Sequence, residues 1–324
     1  MPRRVAARSG MALILTLAAI VLAAGLALFL QARAVALSRA EQSELVRDRL
    51  RLAAAEAARE ALWTLAADED LQVDHLGEDW AAPRETTGED GLSTWALVED
   101  AGRFFNWNNL SVSNRATRAP RDILLDLMTF CGDFAPVVRV DALEDFVDAG
   151  GDGPYEADFY RTGEPPFQPP DRGLWAPAEL LRVHAFSADL FQPRPRSGPD
   201  DLFGGDLAAS TVAVPMALEA PIPVNVNTAG RDVLMGVTGL QQEAAVRAVL
   251  ALRQVQPFES LAMMFMASPE LAAALEGSVG TASSCFRVRA RAALGDVHRS
   301  VLAWVERDAK SGDIRILQWV EEEG

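Results

Sequence analysis

Carboxylates and glycines are interspersed in one short stretch of the chain, and this pattern has clear potential for chemistry. Asp145, Asp148, Asp152, Glu156 and Asp158 lie close together in sequence, with three glycines among them. Calcium takes about six to eight oxygen ligands, and flexible glycine-containing loops let carboxylates and carbonyls converge on it. The stretch lacks the ligand spacing of an EF-hand, and a solvated acidic loop explains the same residues. The residues alone leave both interpretations open and slightly favour the solvated loop.

Side chains that commonly carry out catalysis occur without a catalytic pattern. The three histidines, His75, His184 and His298, are widely separated in sequence. The sequence contains no P-loop, no G-x-S-x-G and no H-E-x-x-H motif. Each histidine is therefore interpreted as a packing or surface residue, and the sequence predicts a protein that is not an enzyme.

The two cysteines, Cys131 and Cys285, are far apart in the chain. In an exported protein they could form a disulfide that closes a long loop. They could equally be two separate buried thiols. Their number and spacing match no zinc site.

Charge limits the classes of partner. The 324-residue chain has a formal net charge of -16 and a pI of about 4.7, with the acidic excess concentrated in its middle. Such a chain is repelled by the phosphate backbone of nucleic acids. We therefore expect no nucleic-acid partner.

The element that positions everything else is an N-terminal helix. Residues Met11–Leu30 carry no charge and match the length that a helix needs to cross a bilayer. Three arginines precede this stretch, and such a bias holds the N-terminus in the cytoplasm and sends the following chain across the membrane. The sequence predicts a single-pass protein of the inner membrane with most of its chain in the periplasm.

A cleaved secretory signal is the alternative to an anchor, because residues 32–34 form an A-x-A cleavage pattern. However, the apolar stretch is longer than a usual signal core of about 7–15 residues. Helical spacing also continues to Ala66 without proline or glycine after Gln31. One continuous helix is therefore predicted, with a lipid-facing first half and an amphipathic second half.

The rest of the chain combines strands and helices. A hairpin is predicted from Thr94–Glu99 and Arg103–Leu110, and three strands are predicted near the C-terminus. These three strands are Cys285–Ala292, Val297–Glu306 and Ile314–Val320. The intervening chain is predicted to be mostly helical, with helices at Asp122–Phe130, Asp141–Val147 and Pro177–His184.

Two further predicted helices, Gly230–Met235 and Gln241–Arg253, resemble a helix-hairpin-helix unit. Such units often bind DNA through backbone amides of the hairpin and nearby basic residues. Residues 236–240 contain no basic residue, so a purely structural use of the unit is preferred. A membrane-anchored DNA-binding protein remains the alternative function.

Four short motifs, in order, resemble one known family. They are Arg8–Leu13, which looks like a type IV prepilin leader junction, then Asp74–Trp80, Ala101–Leu110 and Val224–Ala229. Their order and spacing resemble the minor pseudopilin K of type II secretion systems, the general secretion pathway protein K family. The likeness spans nearly the whole chain.

The resemblance implies an α+β fold, in which a pilin-like long helix packs on an antiparallel sheet that carries a large helical insertion. The expected divisions, in chain order, are a leader at 1–10, a transmembrane half-helix at 11–30, an amphipathic helix and first part of the pilin-like domain at 31–118, a helical insertion with a helix-hairpin-helix-like unit at 119–280, and completing strands at 281–324.

The resemblance also implies processing by prepilin peptidase, which is expected to cut between Gly10 and Met11. Most pilin-like proteins carry glutamate at the fifth mature position, where it neutralises the N-terminal amine of a neighbouring subunit. This chain has Leu15 there. A lone buried charge is costly, so a subunit without this glutamate fits a filament tip that has no neighbour to neutralise.

The family binds calcium in an acidic loop, and this changes the interpretation of the stretch described first. Asp145 and Asp148 match the first part of the family pattern, with Phe146 in place of the usual tryptophan. Glu156 and Asp158 match the second part. The resemblance implies at least one calcium ion, held by some of Asp148, Asp152, Glu156 and Asp158.

The function implied by the resemblance is to cap or nucleate the tip of the type II secretion pseudopilus, which supports export of folded proteins across the outer membrane. The implied partners are the I-type and J-type minor pseudopilins, contacted through the N-terminal helix, together with the pseudopilus shaft, prepilin peptidase and the inner membrane.

Overall fold

The computed structural model describes residues 6–112, 117–151, 153–163, 165–192, 205–271 and 275–323. Within these residues the chain forms one long N-terminal helix, a five-stranded sheet and a largely helical insert between two neighbouring strands of that sheet. The predicted α+β fold class, with a long helix packed on an antiparallel sheet, is therefore confirmed.

The long helix, α1, is 61 residues long and runs from Ala6 to Ala66, which corresponds to about 90 Å. Residues 11–45 are all exposed, and Val46 is the first residue that the rest of the chain half-buries. Among the described residues, one helix is long and apolar enough to cross a membrane, judged by length and composition, and it is this one. The helix therefore divides into a free N-terminal part and a packed C-terminal part.

The packed part of α1 contacts the sheet through small and aliphatic side chains. Leu50, Ala54, Ala58, Ala61 and Leu65 are buried and recur three to four residues apart, which places them on one face of the helix. Alanine at the middle positions brings the helix backbone close to the sheet. The sheet side of this core consists of Ala96, Val98, Phe286, Val288, Ala290, Ala292, Val301, Ala303 and Val305.

In chain order the strands of the described residues are β1 (Arg84–Thr87), β2 (Ser93–Asp100), β3 (Phe105–Asn106), β4 (Thr211–Val212), β5 (Val224–Asn225), β6 (Val279–Gly280), β7 (Cys285–Leu294), β8 (Val297–Arg307) and β9 (Ile314–Glu323). The five-stranded sheet has the order β1-β2-β7-β8-β9, and all of its neighbouring strands are antiparallel. The three strands predicted near the C-terminus are confirmed as β7, β8 and β9. Their alternating residues place one face against α1.

The predicted hairpin of Thr94–Glu99 with Arg103–Leu110 is wrong. The first segment is β2, but it pairs with β1 and β7. At the predicted turn, the Asp100 carboxylate accepts a hydrogen bond from the Gly102 amide and caps a short 3-10 helix. The chain then enters the interior of the insert, where a two-residue strand pairs in parallel with Thr211–Val212.

The insert consists of residues 101–284, between β2 and β7, and so begins earlier and ends later than the predicted 119–280. Its helices are α2 (Pro120–Phe130), α3 (Pro136–Val147), α4 (Ala157–Arg161), α5 (Leu207–Ser210), α6 (Arg231–Thr238), α7 (Glu243–Val255) and α8 (Leu261–Ala267). The helix predicted at Pro177 is a 3-10 helix. A separate hydrophobic core, which includes Trp107, Leu127 and Phe146, holds the insert together.

Candidate functional site

Three large apolar side chains of α1 face away from the sheet, next to the exposed Glu56–Arg59 ion pair. Leu45, Leu52 and Trp63 are exposed, and Trp63 is 73% exposed. Their spacing of seven and eleven residues places them on one face of a helix, opposite the buried alanines. We call these three residues the outer stripe of α1. Such a stripe fits contact with another helix.

The residues predicted at the processing site also lie in α1. Gly10 and Met11 are both helical, and Leu15 is exposed like its neighbours. The first five residues of the predicted leader lie outside the described residues. The cut and the role of Leu15 stay predictions.

The acidic loop follows α3 and brings several carboxylates into one turn. The Asp145 carboxylate accepts a hydrogen bond from the Tyr155 amide at 2.7 Å. The Asp148 carboxylate accepts one from Gly150 at 3.2 Å, and the Glu156 carboxylate accepts one from Gly153 at 3.4 Å. These bonds curl the chain between Asp145 and Glu156 into a closed turn.

Two carboxylates of this turn, Asp145 and Glu156, have a raised pKa. The pKa of Asp145 is raised by burial and then by the negative charges of Asp148 and Asp141. The pKa of Glu156 is raised by burial and then by Asp145, Asp148 and Asp171. Mutual repulsion of this kind is relieved by a bound cation. In the structure the carboxylate oxygens of Asp145, Asp148 and Glu156 are not all within 4.8 Å of one another, so calcium binding here stays a prediction.

Gly153 is what lets the loop close over Asp145. A Cβ atom added to Gly153 would lie 1.9 Å from a carboxylate oxygen of Asp145. Only glycine leaves room for this carboxylate at the centre of the turn.

The predicted calcium ligands separate into two groups. Asp148 and Glu156 lie in the turn, but the Asp158 side chain is 93% exposed and forms an ion pair with Arg161. Asp152 lies outside the described residues. We did not predict that Asp171 lies near Glu156. The two residues are well separated in sequence, so no local pattern indicates that they are close.

The possible disulfide between the two cysteines is not formed. Cys131 and Cys285 are both buried. Cys131 belongs to the core of the insert, whereas Cys285 begins β7 in a different cluster and has its thiol 3.6 Å from the sulfur of Met216. The alternative of two separate buried thiols is the one that the structure contains.

The asparagines of the predicted hairpin satisfy buried backbone groups. The Asn108 side-chain amide donates to the Leu174 and Val214 carbonyls at 2.8 Å each and accepts from the Leu174 amide at 2.6 Å. Asn109 pairs in the same way with Ile222. These side chains connect segments of the insert that are far apart in sequence.

The helix-hairpin-helix-like unit contains α6 and α7, and the last helical turn of α6 packs against α2. The Arg118 guanidinium donates to the Gly236 and Val237 carbonyls at 3.0 and 2.8 Å and pairs with Asp126. A Cβ at Gly236 would lie 2.8 Å from Leu127. The turn therefore serves a packing contact inside the insert.

A buried charged cluster joins α1, the sheet and the insert. Arg307, at the end of β8, is 1% exposed. Its guanidinium donates to both oxygens of Asp74 at 2.6 and 2.7 Å and to Asp68 at 2.7 Å, and it lies 4.7 Å from the centre of the Phe286 ring. We call Asp68, Asp74, Glu78 and Arg307 the junction cluster.

The junction cluster holds more negative than positive charge. Burial raises the pKa of Asp74 to about 6, although the charge of Arg307 opposes this change. Burial also raises the pKa of Glu78 to about 7. Among the described residues, Asp68, Asp74 and Glu78 are the one group of three or more whose ligand atoms lie close enough together to hold a metal ion. Arg307 already supplies the positive charge there.

Asparagine and threonine side chains extend the junction into the insert. The Asn225 amide donates to the Asp74 carbonyl at 3.0 Å and to the Asp100 carboxylate at 2.9 Å. The Thr228 hydroxyl donates to the same carboxylate at 2.5 Å. The V-N-V-N-T-A motif noted in the sequence thus fastens the insert to the end of the sheet.

No family model and no curated protein matches the sequence. A solved structure does match the fold. A chain from the crystal structure of the GspK-GspI-GspJ complex of the enterotoxigenic Escherichia coli type 2 secretion system superposes with a TM-score of 0.67 at 19% sequence identity. The match covers 87% of this chain and 99% of that chain. The two chains share a fold. At this identity the likeness establishes the architecture, and the resemblance drawn from the sequence motifs is confirmed at that level.

Proposed function

We propose that this protein is a minor pseudopilin that sits at the tip of a type II secretion pseudopilus and supports protein export. The observation that carries the proposal is α1, whose first part is exposed and apolar and whose second part presents the outer stripe on a folded body. The fold shared with a chain of the GspK-GspI-GspJ complex supports it.

In this proposal the apolar part of α1 first anchors the protein in the inner membrane as a single-pass helix, with the folded body in the periplasm. On assembly the same helix enters the filament. The outer stripe then packs on the helices of I-type and J-type minor pseudopilins, since burial of large apolar side chains stabilises such contacts. The bulk of the insert stands in the way of a further subunit and caps the shaft.

Removal of the leader by prepilin peptidase is the step that admits α1 to a filament. We expect the mature protein, expressed with a prepilin peptidase, to begin at Met11. N-terminal sequencing and intact mass measure this directly. A Gly10→Val variant is the matched control and should keep its leader. A mature N-terminus at Val35 would show cleavage as a secretory signal and overturn the proposal.

We also propose that the acidic loop binds calcium through Asp145, Asp148 and Glu156, with Asp171 adding negative charge nearby. When bound, the ion supplies positive charge that lets these carboxylates remain ionised together. The residues themselves close the turn by accepting amide hydrogen bonds. Asp158 is left out of the ligand set because it pairs with Arg161.

Calcium binding is tested by calorimetry on the full chain in neutral detergent after chelator treatment. We expect calcium to raise the unfolding free energy by about 2.7 kcal/mol at a hundredfold excess over Kd. Asp148→Asn and Glu156→Gln should each weaken binding by about tenfold or more, because each removes a charged oxygen ligand. Asp158→Asn is the matched control and should bind as the unaltered chain does. Absence of binding heat at millimolar calcium would contradict the proposal.

A further inference from the structure

A row of arginines lies on the face of the sheet that points away from α1. In β7, Phe286, Val288, Ala290 and Ala292 are buried against the helix, so the residues between them point outward. These residues are Arg287, Arg289 and Arg291. We call them the arginine row.

The arginine row lines a groove with an apolar and aromatic floor. The groove has a volume of about 780 Å³ and is bordered by residues of β1, β2, β7, β8 and β9. Trp95 on β2 is the register partner of Arg291, and Leu302 on β8 is the register partner of Arg289. Arg289 also lies 5.8 Å from the Trp95 ring centre. A groove of this size is in the range of ligand-binding clefts.

Positive charge in the row is only partly neutralised. The Glu99 carboxylate forms ion pairs with both Arg287, at 3.0 Å, and Arg289, at 2.8 Å. Within the residues that the structure describes, Arg291 has no ion-pair partner. The three arginines of the row are therefore balanced by one glutamate, which leaves an excess of two positive charges.

The positive charge continues toward the insert. Arg103 lies 5.3 Å from the centre of the Phe104 ring, and Arg287 lies 5.2 Å from the same ring. Burial lowers the pKa of Arg287, and the positive charges of Arg289 and Arg103 lower it further. Four arginines and a single paired glutamate thus form one stripe along β7 and its extension.

Two glutamates bound the groove at its sides. Glu85 on β1 pairs in register with Trp95, and Glu322 on β9 pairs in register with Ser300. Each therefore lies two strands away from Arg291, at about 10 Å. The positive charge is confined to a line one strand wide, in a chain whose net charge is -16.

We propose that this groove binds an acidic, extended segment of a partner protein, with carboxylates at alternate positions of that segment. Alternate side chains of an extended chain project on one side about 6.6–6.8 Å apart, which is also the spacing of the arginine row. Carboxylates at that spacing meet Arg289 and Arg291 in turn. Guanidinium-carboxylate pairs of this kind give specificity through their bidentate geometry.

The charge pattern favours polypeptide over nucleic acid. The lateral glutamates and the acidic body of the chain repel a polyanion wider than one strand.

The test uses the full chain in neutral detergent and fluorescent eight-residue peptides. The probe alternates glutamate and valine. One control has glutamine in place of glutamate, and a second has the same composition with four glutamates followed by four valines. We expect the alternating peptide to bind at least tenfold more tightly than either control. Its affinity should fall as salt rises.

A double variant, Arg289→Gln with Arg291→Gln, should weaken binding of the alternating peptide by at least tenfold. The matched control is Arg161→Gln with Arg247→Gln, two exposed arginines of the insert, and should leave binding unchanged. Unchanged thermal unfolding of both double variants shows that folding is retained. The proposal is overturned if the glutamine peptide binds equally well, if the double variant binds as the unaltered chain does, or if duplex DNA binds more tightly than the alternating peptide.

Discussion

Replacing Arg307 with methionine should lower the free energy of unfolding by about 3–5 kcal/mol. Methionine fills much of the same volume against Phe286, so the loss comes from electrostatics. Asp74 is fully buried and receives both of its arginine hydrogen bonds from this one guanidinium. Removing it leaves a buried carboxylate without a counter-charge, and urea unfolding of the full chain in neutral detergent measures the cost.

The matched control is Arg315→Met. Arg315 is also an arginine of the sheet and pairs with Glu306, but its side chain is 68% exposed. Water screens such a pair, so its loss should cost less than about 1 kcal/mol. A similar loss of stability in the two variants would contradict the special role of the junction cluster.

The deficit of the Arg307 variant should depend on pH. Folding raises the pKa of the Asp74 carboxyl from its ordinary value of 3.8 to about 6. The protonated carboxyl therefore stabilises the fold fully below pH 3.8, and this stabilisation is lost as the pH rises through 6. Arg307 opposes this loss by stabilising the ionised form. Without Arg307 the pKa rises further, and the deficit should be larger at pH 8 than at pH 5. Equal deficits at both values would show that the effect is one of packing alone.

Replacing Trp63 with alanine should weaken assembly with I-type and J-type minor pseudopilins by about 30-fold, or 2 kcal/mol. Trp63 is the largest side chain of the outer stripe, and exposed aromatic residues of this kind become anchors when a partner covers them. Its exposure also means that the fold should keep its stability within about 0.5 kcal/mol. Sedimentation of mixtures in neutral detergent measures the affinity, and thermal unfolding checks the fold.

Trp175→Ala provides the control for Trp63, because Trp175 is also exposed but lies in the insert. Assembly should be unchanged in this variant. If both tryptophan variants assemble normally, the outer stripe is not the contact surface. If Trp63→Ala unfolds the chain, the stripe belongs to the fold itself.

Local patterns predicted the elements that depend on local residues. The helical spacing of α1 and the strict alternation of β7 appear in the sequence because each element buries one face on the other. The register of β2 on β7 could not be found in this way, since Val98 and its partner Val288 are far apart in the chain. The hairpin prediction failed because Asn108 bonds to Leu174 and Val214 rather than to its neighbours.

The same distinction applies to the candidate sites. Asp148 and Glu156 were predicted because a short glycine-containing loop brings them together. Asp171 reaches the same loop through tertiary structure and leaves no local signal. Arg307 was not predicted as a functional residue, because its partners Asp68 and Asp74 precede it by more than two hundred residues.

The order of the sheet has a consequence for how such a chain can vary. Without the insert, the strands β1, β2, β7, β8 and β9 follow one another in sequence as a plain meander. Asp100 and Phe286, at the two borders of the insert, are register partners on adjacent strands. A short turn could join them directly. The insert therefore behaves as an exchangeable module: it can lengthen, shrink or acquire new surfaces over evolution, and the body of α1 and the sheet need not change.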